Sequence, residues 1–176
     1  TILVSSAFFL FFVTLREFFI KKLKNLSQNV AHFGFSLLIL SILLNNIFST
    51  EVITNLKIGE TFKSDKFSIN FANIVQENGK NFKSIIGKFK VEHEDGSIDA
   101  LRPELRIYNQ PNIVTSEADI KTNFFTDKFI TMNYVQNQEY FNIRYQVKPL
   151  MIWIWISVLL LSFGGLMSIF KKRYEI

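Results

Sequence analysis

NVAHFGFSLLILSILLNNIF, residues 29–48, is an apolar run with one titratable side chain, His32, near its start. The uncharged stretch around it, 26–50, contains no Lys, Arg, Asp or Glu. About 20 apolar residues at 1.5 Å each cross a hydrocarbon core of about 30 Å. The run therefore reads as a membrane span, assigned here to 29–49. A second such stretch, 149–170, is equally free of charge and carries Trp153 and Trp155 near its beginning, where aromatic belts form. Pro149 suits the first turn of that helix.

Working outward, a third apolar segment occupies 2–15, stops at Arg16-Glu17 and resumes with Phe18, Phe19 and Ile20. A secretory signal places its basic residues before the apolar run, whereas here they follow it. We read 1–20 as a transmembrane helix truncated at its start. The chain begins at Thr1 without Met, so we expect it to be the C-terminal piece of something longer. In 176 residues with 48% apolar content, 20 Phe and mean hydropathy of +0.19, clustering of the apolar residues is the membrane signature. The absence of Cys excludes disulfides and thiolate metal sites.

Charge orients the spans. Residues 51–148 hold 13 basic and 13 acidic side chains, so the net charge of +5 lies entirely at the membrane flanks. Lys21, Lys22 and Lys24 belong to a basic loop at 21–28, and Lys171, Lys172 and Arg173 to a tail at 171–176. Both are expected on the cytoplasmic side, or the matrix side of an organelle. The segment 50–148 is then extracytoplasmic. Being neutral, it offers no basic face for phosphates, and nucleic-acid binding does not explain the pI near 9.4.

That segment reads as β structure. FSINF places Phe67, Ile69 and Phe71 on one face, and EYFNIRYQVK alternates Phe141, Ile143, Tyr145 and Val147 with Asn142, Arg144, Gln146 and Lys148. ENGK at 77–80 and EDGS at 94–97 supply hairpin turns around the strand GKFKV. One small antiparallel sheet or barrel would bury these faces. SEADIKTNFFTDK, 116–128, breaks the alternation and suggests a short helix or an ordered loop. The expected fold is an integral membrane α-helical protein of three spans, the first truncated, with an inserted extracytoplasmic all-β domain.

His32 has two readings. On a helix it shares a face with Ser36, Ile39 and Leu43, roughly 9 Å in from Leu26. Ionisable groups in spans usually face the bundle interior and mark a site; the bland alternative is a neutral interfacial His bonded to a carbonyl or headgroup. Ser162, Gly164, Gly165 and Ser168 lie at similar depth in the last span. They serve either close helix packing, as small-xxx-small patterns do, or make room for a flat cofactor held by His32.

Several segments, in order, resemble the C-terminal quarter of the CcmF family: AHFGFSLLIL, LKIGETFKSDKFSINFANI, NGKNFKSIIGKFKV, LRPELRIYNQP, TSEADIKTNFFTDKF and VKPLMIWIWISVLLLSFGGLMSIFKKRY. The match runs from about Ala31 to Tyr174. AHxG and KPxxxWIW…GG…RY weigh most. The resemblance implies part of a haem lyase (holocytochrome c synthase) complex of cytochrome c maturation. Such a complex receives haem from the chaperone CcmE and joins it to the Cys-x-x-Cys-His motif of apocytochrome c. It also implies a resident haem b in the membrane that reduces the iron of the incoming haem, with His32 at one of its two axial iron positions. CcmH- and CcmI-type subunits and the upstream half of the same protein are the further partners implied. The other axial ligand, the external His pair and a Trp-rich segment would lie upstream, as in a fragment or a split gene product. The implied location is a bacterial inner membrane with the β domain in the periplasm, or alternatively a mitochondrial inner membrane.

His93, within EHEDGS, has acidic neighbours, but alternation and the Asp-Gly that follows read as a solvated hairpin, and it matches no family ligand. Lys148-Pro149 and TSEAD read as structural. No nucleophile–base pair, phosphate loop or closed metal set is present, so no catalytic residue is assigned. A competing function is a non-enzymatic membrane-anchored scaffold whose β domain binds a partner and whose His32 is merely interfacial.

Overall fold

The computed structural model describes residues 2–20, 25–135 and 138–174. Lys21, Lys22 and Lys24 lie outside them. Lys171, Lys172 and Arg173 are described only as backbone, in the last turn of a helix. The chain divides into two compact units, one of helices and one of strands.

Three helices are long and apolar enough to cross a membrane: α1 (Ile2–Ile20), α2 (Leu26–Phe48) and α3 (Met151–Tyr174). α1 runs through Arg16 and Glu17 without a break. Pro149 does not open α3, as its sequence position suggests, but ends the preceding strand. Leu150 follows in the left-handed region at φ 59°, a costly conformation for a bulky residue. Its carbonyl accepts from Trp153 N at 3.1 Å and Ile154 N at 3.2 Å, which starts the helix. Asn45 Nδ2 of α2 donates to the Pro149 carbonyl, joining the end of one span to the start of another.

The other unit is a two-layer antiparallel sandwich, where we had expected one sheet or a barrel. The first sheet has four strands in the order β1 (Thr50–Leu56), β10 (Phe141–Pro149), β9 (Thr126–Tyr134) and β8 (Asp119–Thr122). The second runs β2 (Thr61–Lys63), β3 (Phe67–Asn78), β4 (Phe82–His93), β6 (Glu104–Tyr108), β7 (Val114–Glu117), with β5 (Ile98–Leu101) also paired to β4. Alternation in FSINF predicts the inward face correctly: Phe67, Ile69 and Phe71 are buried. A bulge between Phe71 and Asn73 then shifts the pleat by one residue, so Ile74 rather than Asn73 packs on the core. Phe141, Ile143 and Tyr145 are buried as expected; Gln146, expected outside, is buried too.

Aromatic rings join the layers. Phe71 stacks on Phe89 at 4.4 Å and meets Phe141 edge-on at 5.5 Å, while Phe67 meets Tyr145 at 5.0 Å. Each such side chain contributes about 1.5–3 kcal/mol by leaving water. The hairpin at 94–97 forms as expected. Gly96 adopts φ 78° and Asp95 Oδ1 accepts from Ser97 N at 2.9 Å, a local bond that lets Asp favour such turns. Residues 116–128, expected as helix or loop, form the second half of β7, all of β8, the turn after it and the start of β9.

Candidate functional site

α2 lies between its two neighbours, and its burial pattern records both. Towards α3 it buries Ser27, Val30, Gly34, Leu37 and Ser41. A Cβ added at Gly34 would come 2.7 Å from Leu161 N, and one added at Gly164 would come 2.5 Å from Ala31 N. The two backbones touch at both places. Gly164 is therefore a packing residue, and its missing side chain leaves no room for a cofactor. Gly165 differs: a Cβ there would meet nothing within 4 Å.

Towards α1, Ser36 is fully buried and shares a 2.6 Å hydrogen bond with Thr14. Thr14 also back-bonds to Leu10 and Phe11. The Phe33 ring lies 5.7 Å from those of Phe11 and Phe18. Lipid adds no hydrophobic drive between helices, so such backbone contacts, hydrogen bonds and ring packing hold them together.

Before the exposed end at Ile47 and Phe48, the exposed remainder is a narrow stripe of Gln28, His32, Phe35, Ile42 and Asn46. His32 therefore stands outside, although Ser36, four residues on, is sealed against α1. Four residues advance an α-helix by about 40° beyond a full turn, enough here to separate a buried seam from an open face. Ile39 and Leu43 are half-buried. The imidazole has no hydrogen-bond partner among the described residues. Its exposed ring nitrogens suit axial iron ligation, which needs the lone pair of a neutral imidazole. The other His in the chain, His93, belongs to the sandwich unit.

His93 is not solvated, contrary to the hairpin reading. Its side chain is 14% exposed, and Nε2 lies 2.7 Å from Asp99 Oδ2 and 2.9 Å from Lys128 Nζ. Lys128 also reaches Oδ2 at 2.8 Å, and Lys121 reaches Oδ1 at 2.5 Å. Asp99 thus ties β4 and β5 of one layer to β8 and β9 of the other. Burial works against its ionisation, but donors from Lys121, Lys128 and His93 outweigh that cost and hold the carboxyl well below the usual carboxylate range. Burial first, and the Asp99 charge second, push the Tyr145 phenol above its usual range. The Tyr145 hydroxyl has no partner among the described residues. One signal in the sequence pointed to this cluster: alternation along IDAL sets Asp99 on the same inward face as Leu101. Among the described residues no group of three or more His, Cys, Asp or Glu is arranged to hold a metal.

The sandwich also has an apolar groove of about 490 Å³, with Ile85, Leu105 and Ile107 on one side and Asn133 and Tyr134 on the other.

Comparisons with known proteins agree on the kinship of the chain. A family model described as the CcmF C-terminal beta-sandwich matches residues 47–149. The cytochrome c-type biogenesis protein CcmF of Haemophilus influenzae is 29% identical over 169 residues, covering 92% of this chain and 26% of its own length. CcmF of Pseudomonas fluorescens is 29% identical over 85% of this chain and 23% of itself. NrfE of Haemophilus influenzae is 25% identical over 98% of this chain and 27% of itself. The chain thus spans about a quarter of the length of these relatives. A solved structure titled Cytochrome c Heme Lyase CcmF superposes with a TM-score of 0.62 over 80% of this chain and 23% of the other, at 20% identity, which supports the fold.

Proposed function

This chain belongs to the CcmF family of cytochrome c-type biogenesis proteins, and on that footing we propose that it contributes His32 as an axial ligand to a membrane-embedded haem b. The reading extends to the complete protein as part of a haem lyase. There a second haem, delivered by the chaperone CcmE, is reduced and attached to apocytochrome c beside CcmH- and CcmI-type subunits. The β-sandwich faces the periplasm of a bacterial inner membrane in this reading.

One observation carries it: an unengaged imidazole stands on the open stripe of a membrane helix. When bound, a b-type haem supplies one-electron chemistry. The residues of this chain do the positioning. Gly34 and Gly164 bring α2 and α3 into backbone contact, and the Ser36–Thr14 hydrogen bond pins α2 to α1. Both constraints hold the rotation of α2 that leaves His32 outward. The rest of the haem site belongs to the longer protein, which fits a chain spanning a quarter of its relatives.

The test is the reduced-minus-oxidised haem spectrum of the complete assembly in detergent, with wild type beside His32→Ala and His93→Ala. Loss or a marked shift of a b-type signal in His32→Ala alone is the expected result. An unchanged signal there returns His32 to an interfacial role. No haem in the intact wild type favours the membrane-anchored scaffold.

A further inference from the structure

The turn between β8 and β9 reads TNFFT, residues 122–126, and at its tip Phe124 and Phe125 are 52% and 64% exposed. Turns at the edge of a soluble sandwich favour Gly, Asn, Asp and Ser; two adjacent exposed Phe need another explanation. The tip groups with the helices rather than with the sandwich. Leu150 N donates to the Phe125 carbonyl at 2.6 Å, and Trp153 Nε1 donates to the Phe124 carbonyl at 3.1 Å. The Phe124 ring packs edge-on against Trp153 at 4.9 Å and against Phe125 at 5.3 Å. The tip is thereby fastened to the first turn of a membrane span, beside an indole whose polar N–H is already satisfied.

From this geometry we propose that the Phe124–Phe125 turn is a lipid-inserted hook, both rings lying in the headgroup–acyl boundary of the leaflet that α3 enters. Its occupant is lipid because the turn continues an apolar surface that already faces lipid. Phe124 contacts Trp153, and further along α3 come the exposed Trp155, Val158 and Leu159. Aromatic rings are the side chains that populate this depth. Residues 123–126 are uncharged, so insertion desolvates no charge. The basic side chains nearest along the chain, Lys121 and Lys128, are both engaged by Asp99. The hook draws on the membrane-spanning helices alone and is independent of haem at His32.

Since these 176 residues contain no Cys, an environment-sensitive fluorophore can be placed at Phe125→Cys in the complete protein stripped of other reactive thiols. Ile58→Cys in the β1–β2 turn serves as an aqueous reference. The protein is reconstituted into phosphatidylcholine–phosphatidylglycerol vesicles and quenched either by lipid carrying doxyl near the headgroup or by aqueous iodide. Position 125 is expected to lose most of its emission to the lipid quencher and little to iodide, with the reverse at position 58. Iodide quenching at 125 equal to that at 58 overturns the hook. Protection from both quenchers overturns it too, by placing another protein segment over the turn. Phe125→Trp, which keeps an aromatic ring, gives a second reading. Its added emission should be quenched by brominated lipid, and unquenched emission counts against the proposal.

Discussion

His32 stands on the open stripe of a helix held by backbone contacts, whereas His93 is wedged at the end of a strand against a buried carboxylate and an ammonium group. The difference is one of solvent. In the sandwich, apolar rings fill the interior and charge is admitted only where it is matched, as at Asp99. In the helical unit many large apolar side chains point outward, Phe9, Phe12, Phe163 and Leu166 among them, and the interior seams mix Ser, Thr and Gly with Val30, Leu37 and Leu40. An unengaged imidazole is thus available in the helical unit, and a tied one is structural in the sandwich.

Removing the buried carboxylate should produce the largest change. Asp99→Ala strands Lys128 and His93 beside the core, and breaking a buried pair by deleting one partner costs about 3–5 kcal/mol. Thermal unfolding followed by the β signal of circular dichroism should show a large fall in midpoint, while a b-type haem signal in the membrane persists below that midpoint. Joint loss of both at low temperature would break the comparison. Next in size, Gly164→Val drives a side chain into the Ala31 backbone. Overpacking of this kind costs about 1–3 kcal/mol and should lower the yield of folded protein extracted from membranes. Gly165→Val, facing open space, should leave that yield unchanged, and a similar loss at both positions would refute the packing assignment.

A smaller effect lies in pH. The folded Asp99 carboxyl titrates below its ordinary value of 3.8, so its contribution is fully present above that value and is lost as pH falls towards the depressed one. Wild-type stability should be flat in this respect near neutrality and decline below about pH 4; Asp99→Asn should show a shallower acid limb, since the Glu104 carboxyl is also held low by Arg106. Smallest of all is Lys57→Ala, which removes an exposed pair to Glu139. No measurable shift in midpoint is expected, since exposed pairs contribute little.

Much of this organisation was legible along the chain. The spans were visible because a bilayer demands about 20 uncharged residues in succession, and FSINF because a pleat alternates with period two. Residues 116–128 were misread because β7 and β8 have only four residues each, too short to show a period. Pro149 was misplaced because a Pro that suits a first helical turn also suits a strand end. His93 was misjudged because the groups that engage it, Asp99 and Lys128, arrive on β5 and β9.

By itself, then, the sequence determined which segments meet lipid, which residues face inward on the strongest strands, and that His32 is the imidazole of the membrane helices. Those are one-dimensional properties, set by length, charge and period. Only the tertiary structure decided that the strands form two layers, that Gly164 packs while Gly165 stays open, that His93 is a clamp, and that Phe124 and Phe125 join the helices. Each of those depends on which distant segments meet, and no local pattern encodes that meeting.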